Sequence, residues 1–294
     1  MIRVEYVQIP GASLWTAKQG HGPPLVLCHG GPGDWDYLGG VAGTIDDLVT
    51  AHHYDQRACG RSSGDPTHDV ETAIADLDAL RAHWEYSEWI VAGHSWGAEL
   101  ALYYALSHPQ RVRALIYMAA AGLVAADPER WQVEYRSRRP QLGPAEQRQL
   151  AQLNEQRRDA RGEGYAELDR EHTALSWSAE IVDRARSREL IRSLFVDGVT
   201  VNREVNRCLG ADLRRCMVDP TLPARVATLN VPTLLLHGSA DPRPVWALSL
   251  LAELLPDVRL AVLPEAGHFP WLDTPDLFYN ALRRFLSPLA KGNH

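Results

Sequence analysis

Short apolar runs alternate along this chain with longer stretches in which apolar residues return every three or four positions. Residues 4–9 and 14–18 read as two strands hinged at Pro10-Gly11, an antiparallel hairpin. Leu25-Val26-Leu27-Cys28, Trp89-Ile90-Val91-Ala92, Leu115-Ile116-Tyr117-Met118, Thr233-Leu234-Leu235-Leu236-His237 and Arg259-Leu260-Ala261-Val262-Leu263 are near-continuous apolar runs of the kind that strands buried on both faces require. Between them, residues 70–83 set Ile74, Leu77 and Leu80 at helical spacing, and a second helix starts at Ala98 and runs through 100–107 until His108-Pro109 ends it. This β, α, β, α rhythm predicts an α/β fold with a mostly parallel sheet flanked by helices. No internal repeat interrupts it.

The pattern changes between residues 123 and 222. Arginine and acidic residues become dense and nearly balanced, lysine is absent, and apolar residues recur at helical intervals. This stretch predicts an inserted helical lid, because a parallel sheet carries its site beyond the carboxyl ends of its strands, where an insertion can cover it. The predicted organisation is a core of residues 1–122 and 223–294 with a lid of 123–222. Most lid charges read as a solvated helix surface.

Gly93-His94-Ser95-Trp96-Gly97 sits where one of the buried runs gives way to a helix. A serine on so sharp a turn needs glycines on both sides, and the turn lifts its hydroxyl above the sheet beside helix amides that lack intrahelical partners. Neutral serine is a weak nucleophile and needs a base. Pro264-Glu265-Ala266-Gly267-His268 follows the last apolar run, and Gly238-Ser239-Ala240-Asp241-Pro242 follows the one before it. The order serine, acid, histidine assigns Ser95 as nucleophile, His268 as base and Asp241 as the acid that orients it. Asp219, Asp257, Asp273 and Glu265 are the competing acids; Asp241 is preferred because a short turn after an apolar strand puts it on the catalytic edge. After the first buried run, His29-Gly30-Gly31-Pro32-Gly33 is poor enough in side chains for its amides to approach a substrate, so the N–H groups of Gly31 and Trp96 form the expected oxyanion hole. His29, His94 and His237 read as packing or loop-holding residues, and Asp55-Gln56-Arg57 as a brace for the oxyanion loop.

At these residues the chain resembles the α/β-hydrolase superfamily and, more narrowly, the proline iminopeptidase group of serine peptidases. The likeness rests on His29-Gly30-Gly31-Pro32-Gly33, on Asp55-Gln56-Arg57-Ala58-Cys59-Gly60-Arg61-Ser62, on the serine turn with Trp96 after the nucleophile, and on Gly267-His268. Two positions depart from that group: His94 and Ala58 each stand where it commonly has glycine. The resemblance implies an α/β-hydrolase fold, an acyl-enzyme mechanism and an aminopeptidase activity in which a lid glutamate holds the substrate's free ammonium group. Glu204 is the first candidate for that role and Glu180 the second, with Trp177 beside Glu180 as a further substrate contact.

Composition narrows the alternatives. A net charge of −7 opposes attraction to phosphate backbones and anionic lipid, so neither nucleic acid nor a membrane is an expected partner. The expected partner is a small molecule or a short peptide, and the expected location is cytoplasmic. No His/Cys/Asp cluster has metal-site spacing and the glycine-rich loop lacks a phosphate-loop lysine, so no cofactor is expected. Cys28 and Cys59 read as free thiols, and Cys208 with Cys216 as the one pair whose spacing leaves a disulfide open. Three readings remain: an aminopeptidase, an esterase, lactonase or thioesterase acting on a small metabolite, and a ligand-binding member of the fold without turnover.

Overall fold

The computed structural model describes residues 1–138 and 142–291. Eight strands form one sheet: β1 (Arg3–Ile9), β2 (Ala12–Gly20), β3 (Pro24–Cys28), β4 (Thr50–Tyr54), β5 (Trp89–His94), β6 (Val112–Met118), β7 (Thr233–Gly238) and β8 (Val258–Leu263). Their spatial order is β1-β2-β4-β3-β5-β6-β7-β8. β1 and β2 form the predicted hairpin, β2 joins β4 antiparallel, and every later pairing is parallel.

The apolar runs become central strands because both faces of the sheet are covered. Alternate side chains of one strand enter opposite cores: Val26 and Cys28 of β3 pack with Val91 of β5 and Leu77 of the helix Val70–His83. Leu25 and Leu27 face the other way with Ile90, Ile116 and Phe278. The helix Pro275–Lys291 closes this second core with Phe278, Leu282, Phe285 and Leu286 all buried. Each such side chain contributes roughly 1.5–3 kcal/mol through removal from water. β8 departs from expectation. It is one of the two edge strands, and Leu260 and Val262 remain 40% and 37% exposed, so its apolar run is covered on only part of its surface.

The parallel register brings the carboxyl ends of six strands, β3 to β8, to one edge. Cys28 pairs with Gly93, His94 with Met118, Met118 with Leu236, and Gly238 with Leu263. The loops that leave β3, β5, β6, β7 and β8 therefore emerge side by side, and they carry Gly31, Ser95, residues 119–122, Asp241 and His268.

Between β6 and β7 the chain forms the helices Pro128–Arg138, Pro144–Asp159, Gly162–Ser178, Ser187–Arg192, Arg203–Met217 and Leu222–Ala227. The predicted lid range also contains residues 139–141, which lie outside the described residues. Asn202 caps the helix Arg203–Met217 by accepting hydrogen bonds from the backbone N–H of Glu204 and Val205, and Val205, Leu209 and Leu213 are its buried side. Many charges here pair at the surface, as Arg192 does with Glu171 and Arg184 with Glu146. Asp169 is different: it is buried and binds both Arg157 and Arg203.

All four cysteines are free. Cys208 and Cys216 share the helix Arg203–Met217, where eight residues of rise separate them by about 12 Å, beyond the reach of a disulfide. Ala58 adopts φ 55° in the left-handed region, a conformation that the glycine common at this position in the resembling group would take without steric cost.

Candidate active site

The serine turn is built by exclusion of side chains. A Cβ on Gly93 would lie 1.9 Å from the carbonyl oxygen of Gly97, and one on Gly97 would lie 2.0 Å from that of Cys28. Strand, turn and helix are therefore packed backbone to backbone, and the helix begins at Trp96 rather than at Ala98. Gly97→Ala is expected to destabilise the fold by about 3 kcal/mol, since backbone and not a flexible side chain must give way; a melting temperature within a degree of the parent would contradict this packing. Ser95 itself holds φ 56°, ψ −122°, a strained backbone for a residue with a Cβ. Its N–H donates to the Met118 carbonyl at 2.9 Å, which pins the turn to β6.

The acid and the histidine meet. His268 Nδ1 lies 2.8 Å from Asp241 Oδ2, and since a carboxylate only accepts, Nδ1 carries the proton and Nε2 is left free to accept one. Asp241 is fully buried. Burial alone would raise its pKa, but Arg243 and His268 overcome that and hold the carboxyl well below the usual range. Arg243 reaches Asp241 Oδ1 at 3.2 Å and Glu180 at 2.8 Å. The competing acids have other tasks. Asp273 accepts from the N–H of Gly267 and of Val182, so it shapes the histidine loop, and Asp219 binds Thr221.

His94 ties three loops together. Its Nε2 lies 2.8 Å from the carbonyl of His268 and must donate to it, which leaves Nδ1 to accept from the Tyr37 hydroxyl at 2.7 Å. That hydroxyl in turn accepts from the Gly30 N–H at 2.8 Å. Burial and the nearby His268 depress the His94 pKa well below the usual histidine value, so it remains neutral, as this pattern of bonds requires. The residue next to the serine is thus bonded directly to the histidine loop and through Tyr37 to the loop that carries Gly31. Ser95 Oγ itself makes no hydrogen bond with the described residues; such contacts often tighten only when substrate binds.

The predicted brace is also visible. Gln56 donates through Nε2 to the His29 carbonyl at 2.7 Å, and its Oε1 accepts from Trp96 Nε1 at 2.7 Å. The Gln56 N–H donates to His29 Nε2. Asp55 binds Arg61 and the Asp36 N–H, and Arg57 pairs with Asp76. His237 lies buried in β7 with Nε2 against the Arg243 carbonyl.

A cavity of about 660 Å³ opens over the serine turn and the loop of Gly31. Ser95, Gly31 and Trp96 line it together with Glu99, Trp131, Tyr135, Leu213 and Arg243. The three candidates for substrate contact do not line it, and neither do Asp241 and His268. Glu204 is exposed and paired with Arg207, because the buried side of its helix is the one that carries Val205 and Leu209. Trp177 is stacked on Trp35 and packed against Tyr37 and Phe269, behind the histidine loop. Glu180 does come close, with Oε2 3.9 Å from His268 Nε2, but its charge is already matched by Arg243. Among the described residues no cluster of three or more His, Cys, Asp or Glu side chains could hold a metal ion, and no helix is long and apolar enough to cross a membrane.

Tyr37, Glu99 and Arg243 were not singled out from the sequence. Glu99 left a signal there, as a charged residue in the otherwise apolar segment Trp96–Ser107, one turn after the serine. Tyr37 left none, since only the fold brings it to His94.

Comparison with known proteins places this geometry in context. The profile of the alpha/beta hydrolase fold family matches residues 23–275. A proline iminopeptidase of Lactiplantibacillus plantarum is 27% identical over 280 residues, which cover 92% of this chain and 94% of that protein. Among solved structures, a proline iminopeptidase-related protein from Thermus thermophilus superposes with a TM-score of 0.71 at 22% identity, covering 99% of both chains. A thermophilic esterase from Thermogutta terrifontis gives 0.70 at 21% identity over 98% of both. The two structural likenesses speak for the fold alone.

Proposed function

Because the chain belongs to the alpha/beta hydrolase family and resembles proline iminopeptidases, we propose that it is a serine hydrolase that cleaves a small amide or ester through an acyl-enzyme. The observation that carries this reading is the 2.8 Å contact between His268 Nδ1 and Asp241, which leaves Nε2 as a free acceptor on the same strand edge as the strained Ser95. Residues 123–222 act as a lid over that edge.

The chemistry follows from this arrangement. Ser95 Oγ attacks the substrate carbonyl as its proton passes to His268 Nε2, and Asp241 stabilises the imidazolium that results. The N–H groups of Gly31 and Trp96 receive the developing oxyanion. The tetrahedral species collapses, the bond to the leaving amine or alcohol breaks, and that group takes the proton from Nε2. Water then attacks the acyl-Ser95 ester with His268 again as base, which releases the acid and restores the hydroxyl.

Within this class we favour an aminopeptidase of the proline iminopeptidase type, on the strength of the near full-length relative. The test is a panel of prolyl and alanyl anilides set against p-nitrophenyl esters, with fluorophosphonate labelling of Ser95 in parallel. Labelling together with anilide turnover is the expected result. Turnover of esters alone would make the protein an esterase of this family, and an unreactive Ser95 in folded protein would make it a ligand-binding member.

A further inference from the structure

Glu99 lies one helical turn beyond Ser95, so the two residues share a side of the helix Trp96–Ser107 that faces the cavity. It is 3% exposed, and lines that cavity with what remains. Two hydrogen bonds hold it, and both end on Oε1: the Tyr117 hydroxyl donates at 2.5 Å and the Ala121 N–H at 3.0 Å. Tyr117 is fixed in turn by accepting from the Gly122 N–H. Oε2 receives no hydrogen bond from the described residues, and no described cation forms an ion pair with this carboxylate. Of the two arginines that line the same cavity, Arg243 is engaged with Glu180 and Asp241, and Arg214 forms no ion pair with Glu99.

A buried carboxylate with one rigidly held oxygen and one free oxygen lacks half of its solvation. Burial accordingly raises its pKa to about 7. The two donors on Oε1 bring no positive charge, so a ligand that brings a cation with N–H donors favours the ionised carboxylate and gains the most there. The cavity is the way in, and the nearest chemistry in it is the carbonyl attacked by Ser95.

We propose that Glu99 Oε2 binds a protonated amine carried by the acyl part of the substrate, on the first or second carbon beyond the scissile carbonyl, and so selects aminoacyl substrates over acyl groups without a charge. This rests on the reading of Ser95 as nucleophile and assigns amine recognition to the helix of the serine turn rather than to Glu204 or Glu180. A hydroxyl in place of the amine would donate one hydrogen bond but leave the charge unmatched, and is selected far less.

The experiment compares p-nitrophenyl esters of alanine, lactic acid and propionic acid, which differ only in an ammonium, a hydroxyl or a hydrogen at one carbon, in the parent and in Glu99→Gln. Glutamine keeps an oxygen for Tyr117 and Ala121 and turns a donor toward the cavity. The parent is expected to prefer the alanyl ester to the propionyl ester in kcat/KM, and Glu99→Gln to reduce that ratio at least about 30-fold, the scale of an uncompensated buried charge. The change should fall mainly in KM. A parent with no preference for the amine, a ratio unchanged in the variant, or an equal preference for the lactyl ester would each overturn the proposal. Should Glu99→Gln not fold, inhibition of the parent by propylammonium against 1-propanol decides, and equal inhibition overturns it. If the parent fails to label with fluorophosphonate, the Ser95 reading falls by itself. Amine binding is then read by calorimetry with L-alaninamide against propionamide, where equal affinity refutes it.

Discussion

Ser95→Ala and His268→Ala are each expected to lower kcat by about four orders of magnitude or more, with KM changed only a few-fold. In the proposed mechanism the two groups act on one proton: without the imidazole the hydroxyl keeps it, and without the hydroxyl the imidazole has nothing to activate. The double variant should therefore be scarcely worse than either single one, and the residual rate above that of water reflects the amides of Gly31 and Trp96 together with binding. Steady-state kinetics on whichever substrate the panel identifies settles the matter. Single losses of only a few-fold, or losses that multiply in the double variant, would remove the shared-proton mechanism. Neither substitution touches the packing of Gly93 and Gly97, so the melting temperature should stay near that of the parent.

Asp241→Asn should cost about 10⁴ in kcat for a different reason. An amide can present its N–H₂ to Nδ1, which forces the proton onto Nε2 and removes the lone pair that Ser95 needs. The substitution also strips one of the two carboxylates around Arg243 and leaves Glu180 as its partner. Glu180 cannot stand in for Asp241, since it approaches the ring from the Nε2 side at 3.9 Å and not from Nδ1. Fluorophosphonate labelling should slow in step with kcat. A loss below about a hundred-fold would mean that another acid orients the histidine, and Asp273, which instead holds the Gly267 N–H, would have to move to do so.

Ser95, Asp241 and His268 were legible because each follows an apolar run by a short turn, and the order of those turns is a one-dimensional property. The parallel sheet was legible for the same reason, since strands buried on both faces need unbroken apolar runs. β8 shows the limit: its run resembles the others, and only its place at the sheet edge leaves Leu260 and Val262 partly exposed.

The helical segment 123–222 was harder to read at the level of single side chains. Amphipathic helices announce that they have an apolar side, but not what that side meets. Glu204 was a reasonable choice from sequence and stands at the surface with Arg207, because Val205 and Leu209 turned the helix inward on their own side. Trp177 entered an aromatic stack behind the histidine loop for a similar reason. Glu99 lay in plain view beside the serine turn, yet its significance depends on Tyr117 and Ala121 binding one oxygen and not the other.

By itself, the sequence determined the alternation of strand and helix, the glycine-framed turn at Ser95 and the order in which Ser95, Asp241 and His268 leave the sheet, because periodicity and turn chemistry act over a few neighbouring residues. The tertiary structure decided that His94 and Tyr37 link the three loops, that Arg243 shares Asp241 with His268, and which carboxylates reach the cavity. Those outcomes depend on contacts between residues far apart in the chain, set by the direction each helix faces once the two cores have closed.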